Sequence, residues 1–168
     1  MSLFSMKLEN LQQLFVKELR DLYDAENQIT DALPKLIDAA NHPELKHALQ
    51  EHLSVTKQQI SRLDTIFHTL GEKPTGETCK GMKGVIKEGD EIVSAGGDPS
   101  TVDAGIISAA QRVEHYEMAG YGTVRTYAKL LGHQQMASLL QQTLDEEEEA
   151  DKKLSEIANT VNVEAKAA

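Results

Sequence analysis

Ile107-Ser108-Ala109-Ala110-Gln111-Arg112-Val113-Glu114-His115-Tyr116-Glu117-Met118-Ala119-Gly120-Tyr121 is the stretch from which the fold of this chain can be read. Ile107, Ala110 and Tyr121, continued by Val124 and Leu131, recur at helical spacing and define one apolar face. Glu114 and Glu117 fall on that face, one turn apart. A later segment repeats the arrangement, with Glu147 and Asp151 set among Leu140, Leu144, Leu154 and Ala158. Buried carboxylates lose hydration and repel one another, so a chain keeps them outside unless a cation gathers them. In the core of a four-helix bundle the usual cation is a pair of metal ions.

The rest of the chain is consistent with an all-α protein. At 168 residues it is long enough for one domain, 1–168, with a core of its own. Ala, Leu, Glu, Gln and Lys are abundant, while Pro is limited to 4 residues and Trp is absent. A net charge of −10 argues against a nucleic-acid partner, which would require Lys and Arg to displace counterions from phosphate. The same charge favours attraction of cations. The single Cys79 has no internal partner and fits a reducing compartment. Met1 to Asn10 lacks the pattern of a secretory leader, and no apolar run approaches the ~20 residues needed to span a bilayer. These features predict a soluble cytoplasmic protein with no membrane partner.

Four long helices are expected. Helix A covers about 6–40, with Leu11, Phe15, Leu22, Ile29, Leu33, Leu36 and Ala40 inward and Pro34 predicted to kink it. After the turn at Asn41-His42-Pro43, helix B covers about 43–70 and ends at Gly71. Its inward series is Leu45, Leu49, Leu53, Thr56, Ile60, Leu63 and Phe67, with His52 between Leu49 and Thr56. The segment 71–99 is rich in Gly and reads as a crossover with one short helix around Met82, Ile86, Ile92 and Val93. Helix C covers about 100–131, capped by Ser100 or Thr101. Gly132 breaks the chain before helix D, about 133–161, and Asn162 to Ala168 reads as a frayed tail. Two helical hairpins joined by a long crossover is the chain order of a ferritin-like antiparallel four-helix bundle.

Counting from the hairpin turns aligns the acidic residues in depth. Glu26 lies 15 residues before Asn41, Glu117 lies 15 before Gly132, and Glu147 lies 15 after it. At ~1.5 Å per residue each sits about 22 Å from its hairpin end, near the middle of the bundle. Glu114 and Asp151 pair one turn away, and His52 supplies an imidazole from helix B. The candidate metal ligands are therefore Glu26, His52, Glu114, Glu117, Glu147 and Asp151. Carboxylate oxygens with an imidazole nitrogen suit iron, manganese or zinc better than calcium. Five carboxylates facing two divalent ions leave the cluster near neutrality. A single Glu at a core position more often marks a phase error of one residue and reaches solvent. Matched depth on three helices, with a His on the fourth, weighs against that explanation.

Other residues read as ordinary structure. The acids flanking Glu147 in the run Asp145 to Glu149 read as a solvated face. His115 lies off the ligand face, and His42, His47, His68 and His133 read as surface residues. Gly120 and Gly122 weaken a helix, so close approach of another backbone is their expected reason. Tyr116, Tyr121 and Tyr23 have hydroxyls able to donate to metal-bound oxygen or relay electrons, with core packing the favoured role for each, and Cys79 reads as part of a mobile crossover with no activating cluster.

Several segments together resemble the YciF-like stress proteins, a ferritin-like group. They are Tyr23-Asp24-Ala25-Glu26-Asn27-Gln28, then Glu51-His52-Leu53-Ser54 with Thr56 and Gln59. The most specific is Ala109-Ala110-Gln111-Arg112-Val113-Glu114-His115-Tyr116-Glu117, leading into Ala119-Gly120-Tyr121-Gly122-Thr123. Thr143-Leu144-Asp145-Glu146-Glu147 with Asp151 completes the set, which covers nearly the whole chain. The resemblance implies a homodimeric ferritin-like bundle with a di-metal site like that of rubrerythrins, whose third helix also offers two carboxylates one turn apart. One position departs from it. The family pattern on helix B looks like His-x-x-Glu, whereas here Val55 follows His52 at that spacing.

Two functions compete at this stage. One is a bacterial stress protein with a carboxylate-rich di-iron site, with manganese or zinc as alternatives, acting on peroxide or oxygen. No Cys-x-x-Cys iron site accompanies it, so turnover would need an external reductant. The other is a structural or interaction bundle, dimeric, whose metal site has degenerated, as Val55 suggests. Iron storage in a hollow shell is a weaker third.

Overall fold

Asn10 starts the first helix. In a computed structural model describing residues 7–168, its side chain accepts a hydrogen bond from the Gln13 N–H at 2.9 Å, and helix α1 follows over Leu11–Ala39. Met6, where periodicity would begin this helix, lies outside the described residues. The helix runs through Pro34 without ending, with the proline on its exposed face. Ala40, Asn41 and His42 turn the chain into α2, Pro43–Leu70, whose first residue is Pro43. Gly71 closes α2 at φ +66°, a left-handed conformation that costs glycine little.

The crossover carries α3, Lys80–Ala95. Next comes α4, Pro99–Leu130, capped by Asp98, which accepts from the Thr101 N–H at 2.9 Å. The cap therefore falls before Ser100 and Thr101: Pro99 is a favourable first helical residue, and Asp98 directly precedes it. The last helix, α5, spans Gln134–Ala167, so the expected frayed tail is helical. Val161 is fully buried and anchors this last part, and the Glu, Lys and Ala beyond it are strong helix formers. Among the described residues no strand forms, and no helix is long and apolar enough to cross a membrane.

The two helices of each short-linked pair pack together, α1 with α2 and α4 with α5. The pairs meet where α1 contacts α4 and α2 contacts α5, while α3 lies against α1 and α4. Asp103 fastens the pairs at one end. Its buried carboxylate accepts from the backbone N–H of Asn41 at 2.8 Å and of His42 at 2.7 Å, tying the α1–α2 turn to α4. Free N–H groups at a helix start need such an acceptor.

The crossover is packed at its centre. Cys79, expected to be mobile and unaccompanied, is fully buried. Its backbone N–H donates to Asp24 Oδ2 at 2.8 Å, and its Sγ lies 3.0 Å from the Tyr116 hydroxyl. His133 also departs from a plain surface role, stacking on Phe15 with ring centroids 6.1 Å apart.

The apolar core is divided. One cluster gathers Ile29, Leu33, Leu45, Leu49, Ile107 and Leu154. The other gathers Phe15, Leu19, Leu63, Phe67, Val124 and Leu140. Each long helix contributes to both; on α2, α4 and α5 the candidate ligands lie in the stretch between the two contributions, and on α1 Glu26 directly follows Ala25, the first residue that helix gives to the first cluster.

Candidate metal centre

Helical phase carries Glu26 inward from α1, His52 and Gln59 from α2, Glu114 and Glu117 from α4, and Glu147 from α5. One potential ligand atom from each of His52, Glu114, Glu117 and Glu147 converges so that all four lie within 4.8 Å of one another. Glu26, Glu117 and Glu147 are 0% exposed and Glu114 2%. The His52 side chain retains 9% of its surface, and its Nδ1 stands 3.5 Å from Glu114 Oε1.

Hydrogen bonding leaves this layer incomplete. Glu26 Oε2, His52 Nε2, Glu114 Oε2, Glu147 Oε2 and both carboxylate oxygens of Glu117 are buried without a partner. Folded proteins pair nearly all such atoms, so this concentration marks a site built for something the polypeptide does not supply. A divalent cation fits the donor set of carboxylate oxygens with an imidazole nitrogen. Burial is the main electrostatic influence. It pushes the carboxyls of Glu26, Glu114 and Glu117 well above their ordinary range and raises Glu147, with mutual repulsion adding to the effect at the first three. Burial also holds the His52 imidazole down at about 4, so it is neutral and able to ligate at physiological pH.

Three residues support the carboxylates in a way the sequence reading did not assign to them. Tyr121, read there as core packing, is fully buried and donates its hydroxyl to Glu26 Oε1. Gln59 donates its amide to Glu147 Oε1 and is fully buried. Its position seven residues after His52, two turns along one face, was the available signal. Arg62 pairs with both oxygens of Glu146 at 2.6 Å, so Glu146 belongs to a structured pair across α2 and α5 and not to a free acidic face. That guanidinium opposes the rise in pKa at both Glu26 and Glu147.

Asp151 stands beside the group of four. It is half-buried, accepts from Gln111 Nε2 at 3.1 Å, and faces His115 Nε2 at 3.3 Å. It is close enough to Glu114 to disfavour ionisation there. His115 itself is mostly exposed, in keeping with its position off the ligand face. Val55 is half-buried in the wall of a cleft of about 310 Å³ between α2 and α5, which is also lined by His52 and Glu114. A smaller space of about 30 Å³ beneath α3, walled mainly by aliphatic side chains, reaches the same two residues.

Comparison with known proteins shows the family to which the chain belongs. Residues 10–168 match the family described as a domain of unknown function, DUF892. The chain is 40% identical to protein YciF of Escherichia coli (strain K12) over 162 residues, 95% of this chain and 98% of that one. The crystal structure of the E. coli stress protein YciF superposes with a TM-score of 0.89, covering 92% of this chain and 98% of that chain at 38% identity. YcfI of Rhodopseudomonas palustris, described as a candidate structural protein, has a TM-score of 0.87 at 44% identity, covering 90% and 97%. A protein from Xanthomonas campestris pv. campestris shares the fold at a TM-score of 0.74 and 22% identity, covering 92% and 94%. The chain belongs to the DUF892 family and is YciF-like along nearly its whole length.

Proposed function

We propose that this chain is a ferritin-like metal-binding stress protein of the cytoplasm, with a di-metal site, iron first among the candidate ions and manganese or zinc as alternatives. The observation that carries this reading is the convergence of His52, Glu114, Glu117 and Glu147, with their unpartnered buried atoms, between two apolar cores. Under this reading Glu26 and Asp151 complete the ligand set. When bound, a redox-active metal would supply the electrons for reduction of peroxide or oxygen, replenished by an external reductant. The chain's own residues hold and orient. Gln59 donates to one oxygen of Glu147 and Tyr121 to one oxygen of Glu26, which leaves the other oxygen of each free. Such partners fix ligand orientation and commonly change metal affinity by about 10–100-fold when removed.

Elemental analysis after reconstitution with Fe(II) or Mn(II) tests this reading. About one to two ions per chain is expected, falling sharply in the Glu114→Gln/Glu117→Gln variant. Less than about a tenth of an ion per chain in the unsubstituted protein would end it.

A second reading has observations of its own. Val55 stands where the resemblance expects a carboxylate, and the R. palustris relative is described as a candidate structural protein. Under this reading the chain is a structural or interaction bundle, a homodimer, with a degenerate site. The same metal analysis separates the two.

A further inference from the structure

Two openings reach His52 and Glu114, and they differ in chemistry. The space beneath α3 is about 30 Å³ and walled by side chains such as Ile29, Leu33, Leu49, Val85 and Ile86. An ion entering there would shed its water with nothing to replace it until it reached the centre. Asp90, at its edge, is already paired with Lys35 at 2.7 Å. The cleft between α2 and α5 encloses about 310 Å³. At about 30 Å³ per water molecule that is room for an ion with its hydration shell.

Glu51, Glu146 and Glu149 line this cleft, with Lys153 among them. Glu146 is committed to Arg62. Glu149 is mostly exposed, and among the described residues its one ion-pair contact is a long 3.9 Å to Lys152. Glu51 of α2 pairs with Lys153 of α5, linking the two helices beside the cleft. The acids alone would signify little. An independent observation points to a ligand, since His52 Nε2 and Glu114 Oε2, on residues lining the same cleft, are buried and unpartnered.

Resting on the metal reading above, we propose that the α2–α5 cleft is the entrance for divalent cations. Glu51 and Glu149 attract the hydrated ion, and Lys153 acts as a cationic latch that the ion displaces from Glu51. The ion then passes Val55 to reach His52 and Glu114. Glu51 and Glu149 are not final ligands, so they set the rate of loading and leave the equilibrium affinity nearly unchanged.

Stopped-flow mixing of Co(II) with the chelator-stripped full-length protein, followed by the visible absorption of bound Co(II), tests this. The Glu51→Gln/Glu149→Gln variant should load about three- to tenfold more slowly at low ionic strength. That difference should shrink in high salt, where exposed charges are screened. Release into excess chelator should slow by a similar factor, because one path serves both directions. Lys153→Met should load faster, and Glu88→Gln, on α3 away from the cleft, should load normally. Unchanged loading in both cleft variants overturns the entrance alone. So does a loss of equilibrium affinity as large as the loss of rate, since that would make Glu51 and Glu149 ligands. No Co(II) uptake by the unsubstituted protein overturns the metal reading itself, and the entrance with it.

Discussion

The Tyr121 hydroxyl on α4 donates a hydrogen bond to Glu26 Oε1 on α1, and both side chains are fully buried. This bond orients Glu26 and supports its ionised form against a burial effect that pushes the other way. Tyr121→Phe keeps the ring and removes the donor. Mn(II) affinity should fall by about tenfold or more, with helicity retained, as titration calorimetry and circular dichroism would show. Unchanged affinity would place Glu26 outside the ligand set.

Stability of the metal-free protein should respond to pH in a direction opposite to that of metal binding. Glu26, Glu114 and Glu117 have carboxyls raised well above 4.5, so the folded state binds more protons than the unfolded state once pH exceeds that value. Their contribution is intact below the unfolded value and is lost as pH rises towards the folded one. His52 acts oppositely, but only between its ordinary 6.5 and about 4. From pH 6.5 to 8 the carboxylates therefore dominate the centre, and the Tm of chelator-treated protein should drop. Glu117→Gln should flatten that slope. Mn(II) should raise Tm most at the alkaline end, where the ligands are deprotonated. A melting temperature indifferent to metal and chelator would favour the structural reading.

Val55 shares the cleft wall with His52 and Glu114, one turn after the histidine. Val55→Glu should add a carboxylate to the site and raise metal stoichiometry, or tighten the weaker of two positions. If position 55 is only an apolar wall, the new glutamate would instead destabilise the protein with and without Fe(II). Parallel measurement of bound metal and Tm decides between these outcomes.

Asp103 supplies both acceptors for the N–H groups of Asn41 and His42. Asp103→Ala leaves those donors without partners and should cost about 2–3 kcal/mol in urea unfolding, with metal stoichiometry retained. Asp103→Asn keeps one acceptor and should fall between. A loss below about 0.5 kcal/mol for the alanine variant would show that water replaces the carboxylate at this turn.

Gly120 and Gly122 should respond with opposite signs. A Cβ at Gly120 would lie 2.7 Å from the buried Leu22 side chain, whereas Gly122 has nothing within 4 Å, contrary to the expectation that a second backbone approaches both. Gly122→Ala should stabilise by up to about 1 kcal/mol through helix propensity. Gly120→Ala should be destabilising, because Leu22 has to shift within its core cluster. Thermal melts of the two variants provide the comparison, and a destabilised Gly122→Ala would reveal a neighbour on that face.

Much of the architecture was legible in the chain before any coordinate. The 3.6-residue period of Leu140, Leu144 and Leu154 marks one face, and Glu147 shares it, so burial of that carboxylate followed from its phase. Counting from Asn41 and Gly132 set the depth of Glu26, Glu117 and Glu147, because rise per residue is nearly constant in a helix. On α2 the apolar series was misleading in part, since Leu53 and Ile60 are only half-buried and Gln59 occupies the inner face. Leucine and isoleucine at a flank can be mistaken for a core stripe when the true stripe carries a glutamine.

Period and counting describe one helix at a time. They do not give the rotation and offset of one helix against another, which depend on how side chains interlock across the interface. That is why only the tertiary structure decided that Tyr121 meets Glu26, that Gln59 meets Glu147, and that Asp103 holds the Asn41–His42 turn. It also placed Asp151 beside Gln111 and His115 at the edge of the cluster, and brought Cys79 from the crossover against Tyr116. The carboxylates' burial was local information, encoded in spacing; their partners, and the cleft that leads to them, exist only where separate helices meet.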